Sequence, residues 1–159
     1  MGRLREWMGG GSAAGDQKEV GQVAPEIELT DEEWRARLTP AQYDVLRRQA
    51  TEPAWSGDFL HVDGDGVFHC AGCGAELFAT GAKFESGSGW PSFDRAMAEG
   101  AIVEKTDRGH FMSRTEITCA KCGGHLGHVF DDGPTETGQR YCVNSLALDF
   151  SPEDPASPA

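Results

Sequence analysis

The stretch ITCAKCGGHLGHVF, residues 117–130, decides the fold, because it joins two apolar runs through a Cys-x-x-Cys turn. The stretch CAGCG, residues 70–74, has the same cysteine spacing and the same flanking glycine. Two residues between thiolates let one tight turn present both sulfurs to a single ion, and glycine permits the positive φ angles of such turns. Two such turns form a closed tetrahedral site, which is typical of a structural metal. We therefore predict one structural zinc ion (Zn2+) bound by four thiolates: Cys70, Cys73, Cys119 and Cys122.

Several alternatives to this zinc site stay open from the residues alone. Iron adopts the same four-sulfur geometry. A thioredoxin-like redox pair would need only one Cys-x-x-Cys, in a βαβ setting that the sequence does not show. His69, beside Cys70, offers a nitrogen ligand in place of one sulfur, and the cysteines could also be buried free thiols.

Length and composition predict one soluble domain. The chain has 159 residues, with 38% hydrophobic and 25% charged residues, and no run approaches the roughly 18 apolar residues of a membrane span. With a net charge of −12 the protein would be repelled by phosphate backbones and anionic lipids, so we expect no nucleic acid and no membrane as partners. We also expect a monomer. Residues 1–15 contain no apolar core of a secretory signal, which predicts a cytoplasmic protein whose paired cysteines are metal ligands or redox groups.

The chain is predicted to consist of a domain at residues 25–150 between disordered tails at residues 1–24 and 151–159, because the tails are rich in glycine or proline. Capping boxes at Thr30 and Thr39 predict two short helices, the second with Pro40 at its first position. Beyond Pro53, short apolar runs between turn residues predict antiparallel β structure. The predicted strands lie at Val67–Cys70, Ala75–Phe78, Ile117–Cys119, Val129–Phe130 and Tyr141–Phe150.

The fifth cysteine, Cys142, is the candidate nucleophile. Strand alternation places Arg140, Cys142 and Asn144 on one face, with Tyr141 and Val143 on the other. A guanidinium favours the thiolate form of a neighbouring cysteine, and an amide can hydrogen-bond a substrate. The alternative is an inert, buried cysteine, which is the commoner state of a single cysteine in a strand.

Two further clusters contain chemically useful side chains. Residues 125–132 hold two histidines, an aromatic ring and two acids directly after the second cysteine pair, and histidine exchanges protons near neutral pH. Residues 87–93, GSGWPSF, predict a rigid turn that presents Trp90 as an aromatic wall. Alternatively, the histidines only support the metal site and Trp90 is a packing residue.

Seven motifs follow one another along the chain: C70AGCG, S86GSGWPSF, R114TE, C119AKCG, H125LGHVF, D132GP and R140YCVNS. In these motifs and their order the chain resembles the type B methionine-R-sulfoxide reductases, and the resemblance covers residues 30–150. This family reduces the R epimer of methionine sulfoxide, free or in proteins, and thereby repairs oxidative damage. The resemblance implies a mainly β fold of two antiparallel sheets, a zinc-stabilised β-tent with short N-terminal helices.

Individual roles follow from the resemblance. Cys142 corresponds to the nucleophile that attacks the sulfoxide sulfur and becomes a sulfenic acid. The resemblance implies that Trp90 and Phe130 contact the methyl group of the substrate. Since the sulfoxide oxygen must be protonated, an acid is also needed. The implied catalytic set is Cys142, His125, His128, Asn144, Asp132 and Arg140.

One residue departs from the pattern of many relatives. Ser88 occupies the position in the Gly-x-Gly-Trp turn where those relatives have a resolving cysteine. The resemblance therefore implies regeneration by thioredoxin or another external thiol. The competing hypothesis is a non-catalytic zinc-stabilised β module that binds a partner protein, similar to zinc-binding chaperone-like domains. Such a module would not need Cys142 beside Arg140 and Asn144.

Overall fold

The computed structural model describes residues 25–108 and 113–152. In these ranges the fold is mainly β, with two antiparallel sheets and two short helices, as predicted. The predicted N-terminal tail and residues 153–159 of the predicted C-terminal tail lie outside the described residues. The strands are β1 (Gly66–Cys70), β2 (Glu76–Ala79), β3 (Lys83–Phe84), β4 (Ser92–Phe93), β5 (Ile102–Asp107), β6 (Arg114–Cys119), β7 (His125–Phe130), β8 (Arg140–Val143) and β9 (Leu148–Pro152).

The two helices begin where the capping boxes predict. Helix α1 spans Asp31–Arg37 and helix α2 spans Pro40–Arg48. Thr30 and Thr39 each accept a hydrogen bond from the main chain three residues ahead, and the Glu or Gln at that position bonds back. The apolar side chains of this hairpin are buried against the sheets: Trp34, Leu38, Tyr43, Val45 and Leu46.

The smaller sheet has the strand order β2-β1-β9. Strand β9 pairs with β1 as far as Pro152 opposite Gly66. The expectation of a tail from Ser151 onward is therefore wrong for Ser151 and Pro152. Proline is compatible with this position because β9 is an edge strand, where one ladder hydrogen bond can be missing.

The larger sheet has the strand order β3-β4-β8-β7-β6-β5, so the strands with the candidate catalytic residues are central. The predicted strand Tyr141–Phe150 is interrupted: β8 ends at Val143, a 3-10 turn spans Ser145–Ala147, and β9 then joins the other sheet. Strand β5 was not predicted, because most of its side chains are polar and solvent-facing.

The core lies between the sheets. Phe78 of β2 stacks on Phe93 of β4 at 4.3 Å, and Phe68 of β1 meets Phe93 edge-on at 5.1 Å between ring centroids. All three rings are fully buried, and each contributes about 1.5–3 kcal/mol through loss of apolar surface. Among the described residues, no helix has the length and apolar character to cross a membrane.

Candidate functional site

The four paired cysteines form one cluster. Their sulfur atoms all lie within 4.8 Å of one another, with 3.6 Å between Cys70 and Cys122 and 3.6 Å between Cys73 and Cys119. A tetrahedral ion with metal–sulfur bonds of about 2.3 Å separates its ligands by about 3.8 Å, whereas a disulfide needs about 2.05 Å. The cysteines are therefore positioned to bind one metal ion. His69 is not part of this cluster, since its ring lies 3.4 Å from the Ser151 hydroxyl.

Each cysteine pair lies in a turn that depends on glycine. In the first turn the Gly74 amide donates to the Cys70 carbonyl at 2.8 Å, and in the second the Gly123 amide donates to the Cys119 carbonyl at 2.7 Å. Gly74 has a φ of 82° and Gly123 a φ of 77°, a conformation that other residues rarely adopt. The local sequence therefore forms both halves of the metal site.

The helical hairpin contacts both turns through two arginines. Arg37 donates to the Gly72 carbonyl at 2.9 Å, and Arg47 donates to the Cys122 carbonyl at 3.0 Å. Both guanidinium groups also lie over the ring of Trp34. These positive charges favour a cluster of thiolates, which has net negative charge even when a divalent ion is bound.

A cavity of about 260 Å³ opens over β7 and β8. Because these strands are paired with His128 opposite Cys142 and Phe130 opposite Arg140, side chains from both strands converge on it. Of the predicted catalytic and substrate-binding residues, His125 and Asp132 do not line the cavity. Six predicted site residues do: Trp90, His128, Phe130, Arg140, Cys142 and Asn144.

The Cys142 thiol is partly buried at this cavity, with its sulfur 4.0 Å from the Ser88 hydroxyl. Burial raises the pKa of Cys142, and Ser88 and Arg140 only partly oppose this effect. The sequence predicted the correct direction for the effect of Arg140, but desolvation is larger. The thiol is thus protonated near neutral pH before a substrate binds.

Arg140 is held by Asp132 through two hydrogen bonds, at 2.8 and 3.1 Å. The guanidinium carbon lies 4.5 Å from the centre of the Phe130 ring. Asp132 therefore orients the Arg140 guanidinium from outside the cavity. Its negative charge also neutralises part of the positive charge near Cys142.

The two histidines have different environments. His128 bonds through Nε2 to an oxygen of Asp107 at 3.0 Å, and Arg114 approaches the same oxygen at 3.5 Å. Burial lowers the pKa of His128, and the hydrogen bond to the Asp107 carboxylate only partly offsets this. His128 is therefore mostly neutral at pH 7.

His125 is buried beside a carboxylate. Its Nδ1 lies 2.8 Å from Glu116, and its ring centroid lies 5.7 Å from that of His128. Burial opposes ionisation of Glu116, but hydrogen bonds with His125 and Gln49 outweigh it and lower the pKa of the carboxyl. The other nitrogen, Nε2, is buried and has no hydrogen-bond partner among the described residues.

Sequence reasoning assigned no role to several polar residues around the site. Asp107 and Glu116 bond the histidines, Thr51 and Arg114 line the cavity, and Glu52 is buried beside it. Glu116 lies between Thr115 and Ile117 in β6, and this mixed local pattern does not identify a buried acid. Position 52 follows the helices in irregular structure, where no periodicity identifies a buried side chain.

The fold and the site define a class: a mainly β protein with four cysteines positioned to bind a metal ion and a single further cysteine at a cavity lined by aromatic rings and a histidine. The family model described as SelR domain matches residues 38–152. A peptide methionine sulfoxide reductase MsrB of Thiobacillus denitrificans is 53% identical over 125 residues, which cover 79% of this chain and 95% of that protein. Proteins of the same name from Leifsonia xyli and Pseudomonas entomophila are 52% and 54% identical, covering 86% and 80% of this chain and 99% and 98% of those proteins. The chain belongs to the SelR domain family.

Among solved structures, the Mis18 "Yippee-like" domain is similar, with a TM-score of 0.46 and 17% identity. The match covers 57% of this chain and 98% of that domain.

Proposed function

We propose that the protein is a peptide-methionine (R)-S-oxide reductase that repairs oxidised methionine residues. The observation that carries this proposal is the cavity itself, which combines the Cys142 thiol with His128 and two aromatic rings. The relatives named peptide methionine sulfoxide reductase MsrB, about half identical over most of the chain, support the same activity. A module that only bound a partner protein would have no use for a thiol in this setting.

The reaction transfers one oxygen atom. The Cys142 thiolate attacks the sulfoxide sulfur, the sulfur–oxygen bond breaks, and methionine leaves while Cys142 becomes a sulfenic acid. The thiol is oxidised and the sulfoxide is reduced by the same two electrons. The departing oxygen must be protonated, so an acid beside the cavity is required.

His128 is the proposed acid because it lines the cavity, and its imidazolium form can donate a proton to the sulfoxide oxygen. His125 is proposed to support His128. Its own ring is oriented by the buried Glu116 carboxylate, which lies 2.8 Å from Nδ1. Arg140, positioned by Asp132, lowers the cost of forming the thiolate. In this proposal Cys142 attacks the sulfoxide, His128 transfers the proton, and Arg140 stabilises the thiolate.

Selection of one epimer is proposed to rest on two kinds of side chain that line the cavity, aromatic and polar. The rings of Trp90 and Phe130 form an apolar surface for the methyl group, and His128 faces the polar oxygen. Asn144 is held by the main chain, because its amide nitrogen donates to Leu126 at 2.9 Å and its oxygen accepts from Glu52 at 3.0 Å. Only one epimer of a chiral sulfoxide can place its methyl group against the aromatic rings and its oxygen against His128 at the same time.

Regeneration is proposed to use an external thiol, thioredoxin or a small thiol. One thiol condenses with the sulfenic acid and releases water, and a second thiol reduces the mixed disulfide. Ser88 lies 4.0 Å from Cys142, at the position where a resolving cysteine would be placed, and its hydroxyl cannot form a disulfide. The metal that the four clustered cysteines bind is proposed to be zinc, and a reducing cytoplasm would keep all five cysteines as thiols or metal ligands.

The test compares the two epimers of a methionine sulfoxide substrate in the presence of dithiothreitol. We expect consumption of the R epimer, none of the S epimer, and no turnover by Cys142→Ser, which keeps its metal and its melting temperature. Metal analysis of both proteins should find about one zinc per chain. A wild-type protein that binds zinc but consumes neither epimer would contradict the proposal and favour a binding module.

A further inference from the structure

Glu52 is a buried acid outside the predicted set of site residues. Its side chain is only 3% exposed. Its two carboxylate oxygens accept hydrogen bonds from the main-chain amides of Ser145 and Leu146, each at 2.9 Å. Among the described residues, no lysine or arginine forms a salt bridge with it. A buried carboxylate without a cation is costly unless hydrogen bonds compensate for the lost water.

The main chain of the same residue forms hydrogen bonds with two side chains that line the cavity. The Glu52 amide donates to the side-chain oxygen of Asn144 at 3.0 Å. The Glu52 carbonyl accepts from the indole Nε1–H of Trp90 at 3.0 Å. One residue therefore holds two cavity-lining side chains that come from loops 54 positions apart in the chain, Asn144 and Trp90.

The carboxylate is fixed where the chain passes from one sheet to the other. Ser145 and Leu146 begin the 3-10 turn between β8 and β9, directly after the cavity residues Cys142 and Asn144. Gly57 packs closely against this carboxylate. A Cβ atom at Gly57 would lie 2.5 Å from a Glu52 oxygen and 2.2 Å from the Ser145 hydroxyl, so no space remains for the Glu52 side chain to move in that direction. A shift of the Glu52 side chain would therefore be transmitted to its own main chain and to this turn.

We propose that Glu52 is a positioning residue for sulfoxide binding, which holds the Trp90 ring and the Asn144 amide in place from behind the cavity. The proposal rests on the proposed function for its substrate. Glu52 does not touch the substrate or the reacting sulfur. It sets the distance between the apolar wall and the polar side of the cavity, so its loss should weaken substrate binding more than the chemistry at Cys142.

The test variant is Glu52→Gln, which has the same shape but places an amide group opposite a main-chain N–H, so that one hydrogen bond is lost. We expect a misplacement of the cavity walls to reduce kcat/KM by about 10²-fold, mainly through KM. Alkylation of Cys142 by iodoacetamide should be no slower than in the wild type, because loss of the Glu52 charge removes one of the influences that raise the pKa of Cys142. The matched control is Asp94→Asn, another buried acid, which pairs with Arg95 and does not line the cavity; its KM should equal that of the wild type.

A spectroscopic readout does not depend on turnover. In the wild type, the indole N–H of Trp90 should exchange with solvent much more slowly than that of Trp55, whose side chain is exposed. Glu52→Gln should shift the NMR signals of the Trp90 indole and the Asn144 amide, and leave the Trp34 indole unchanged. If Trp90 exchanges as fast as Trp55 in the wild type, the proposal is wrong, whether or not the variant folds.

The kinetic outcomes also separate the two proposals. If Glu52→Gln has the wild-type KM, Glu52 is a structural residue and the inference fails, whatever stability the variant loses. If the wild type consumes no sulfoxide, the proposed function fails, while the NMR signals of Trp90 and Asn144 still report whether Glu52 positions them.

Discussion

Replacing Gly127 by alanine should displace the candidate nucleophile without altering any functional group. Gly127 lies on β7 opposite Val143 of β8 and lines the cavity. A Cβ atom there would lie 2.0 Å from the carbonyl oxygen of Cys142, whereas ordinary contacts begin at 3.4 Å, so the strands must separate by about 1.4 Å. Neither atom is at the end of a flexible side chain, so rotation cannot relieve the clash.

The separation has two measurable consequences. Overpacking of this kind costs about 1–3 kcal/mol, which lowers the melting temperature of a domain of this size by roughly 3–12 °C. A displacement of more than 1 Å at Cys142 should reduce kcat/KM for the R sulfoxide by about 10²-fold. Thermal unfolding and steady-state kinetics with dithiothreitol measure both.

The matched control is Gly81→Ala, because a Cβ atom at Gly81 has no neighbour within 4 Å and its backbone needs no positive φ. It should retain the melting temperature and kcat/KM of the wild type. Wild-type kinetics and stability in Gly127→Ala would show that the two strands tolerate the extra carbon, and that Cys142 is not held by close contact between β7 and β8.

Three further predictions concern the metal, the pH dependence and the thiols. Cys119→Ser should lose the metal and the cooperative thermal transition, because metal binding energy is folding energy in such sites; a metal-free sample that melts at the temperature of the metal-bound one would contradict this. The reaction needs Cys142 as thiolate, with a pKa raised above 9.0, and His128 as imidazolium, with a pKa lowered below 6.5. Between these two pKa values the thiolate fraction rises with pH as fast as the imidazolium fraction falls, so kcat/KM should be flat there and should fall at lower and at higher pH. In His128→Ala the flat region should become a continuous rise with pH, and a wild-type profile that rises throughout this range would exclude His128 as the acid. After one turnover without reductant, dimedone should label Cys142 and leave four free thiols once the metal is chelated, since the chain has five cysteines; three free thiols without a dimedone adduct would mean that a metal-site cysteine forms a disulfide.

The sequence predicted the features that depend on neighbours a few positions away. Both capping boxes join residues three apart, and both metal turns join cysteines three apart with glycine at the positive φ positions. Alternation along β8 placed Arg140 and Cys142 on one face, and both line the cavity. These patterns are visible because the interactions that stabilise them lie within one turn of helix or one strand.

Only the tertiary structure determined the long-range partners. His125 and His128 both lie on β7, where His125 is opposite Thr118 of β6 and His128 is opposite Glu116. The side-chain partners differ from this register, because the His125 ring bonds Glu116 and the His128 ring bonds Asp107 of β5. Glu52 meets Ser145 across 93 positions of the chain. The alternation of a strand fixes which face a residue occupies, but the packing of distant segments decides which acid it meets, so no local pattern predicts such contacts.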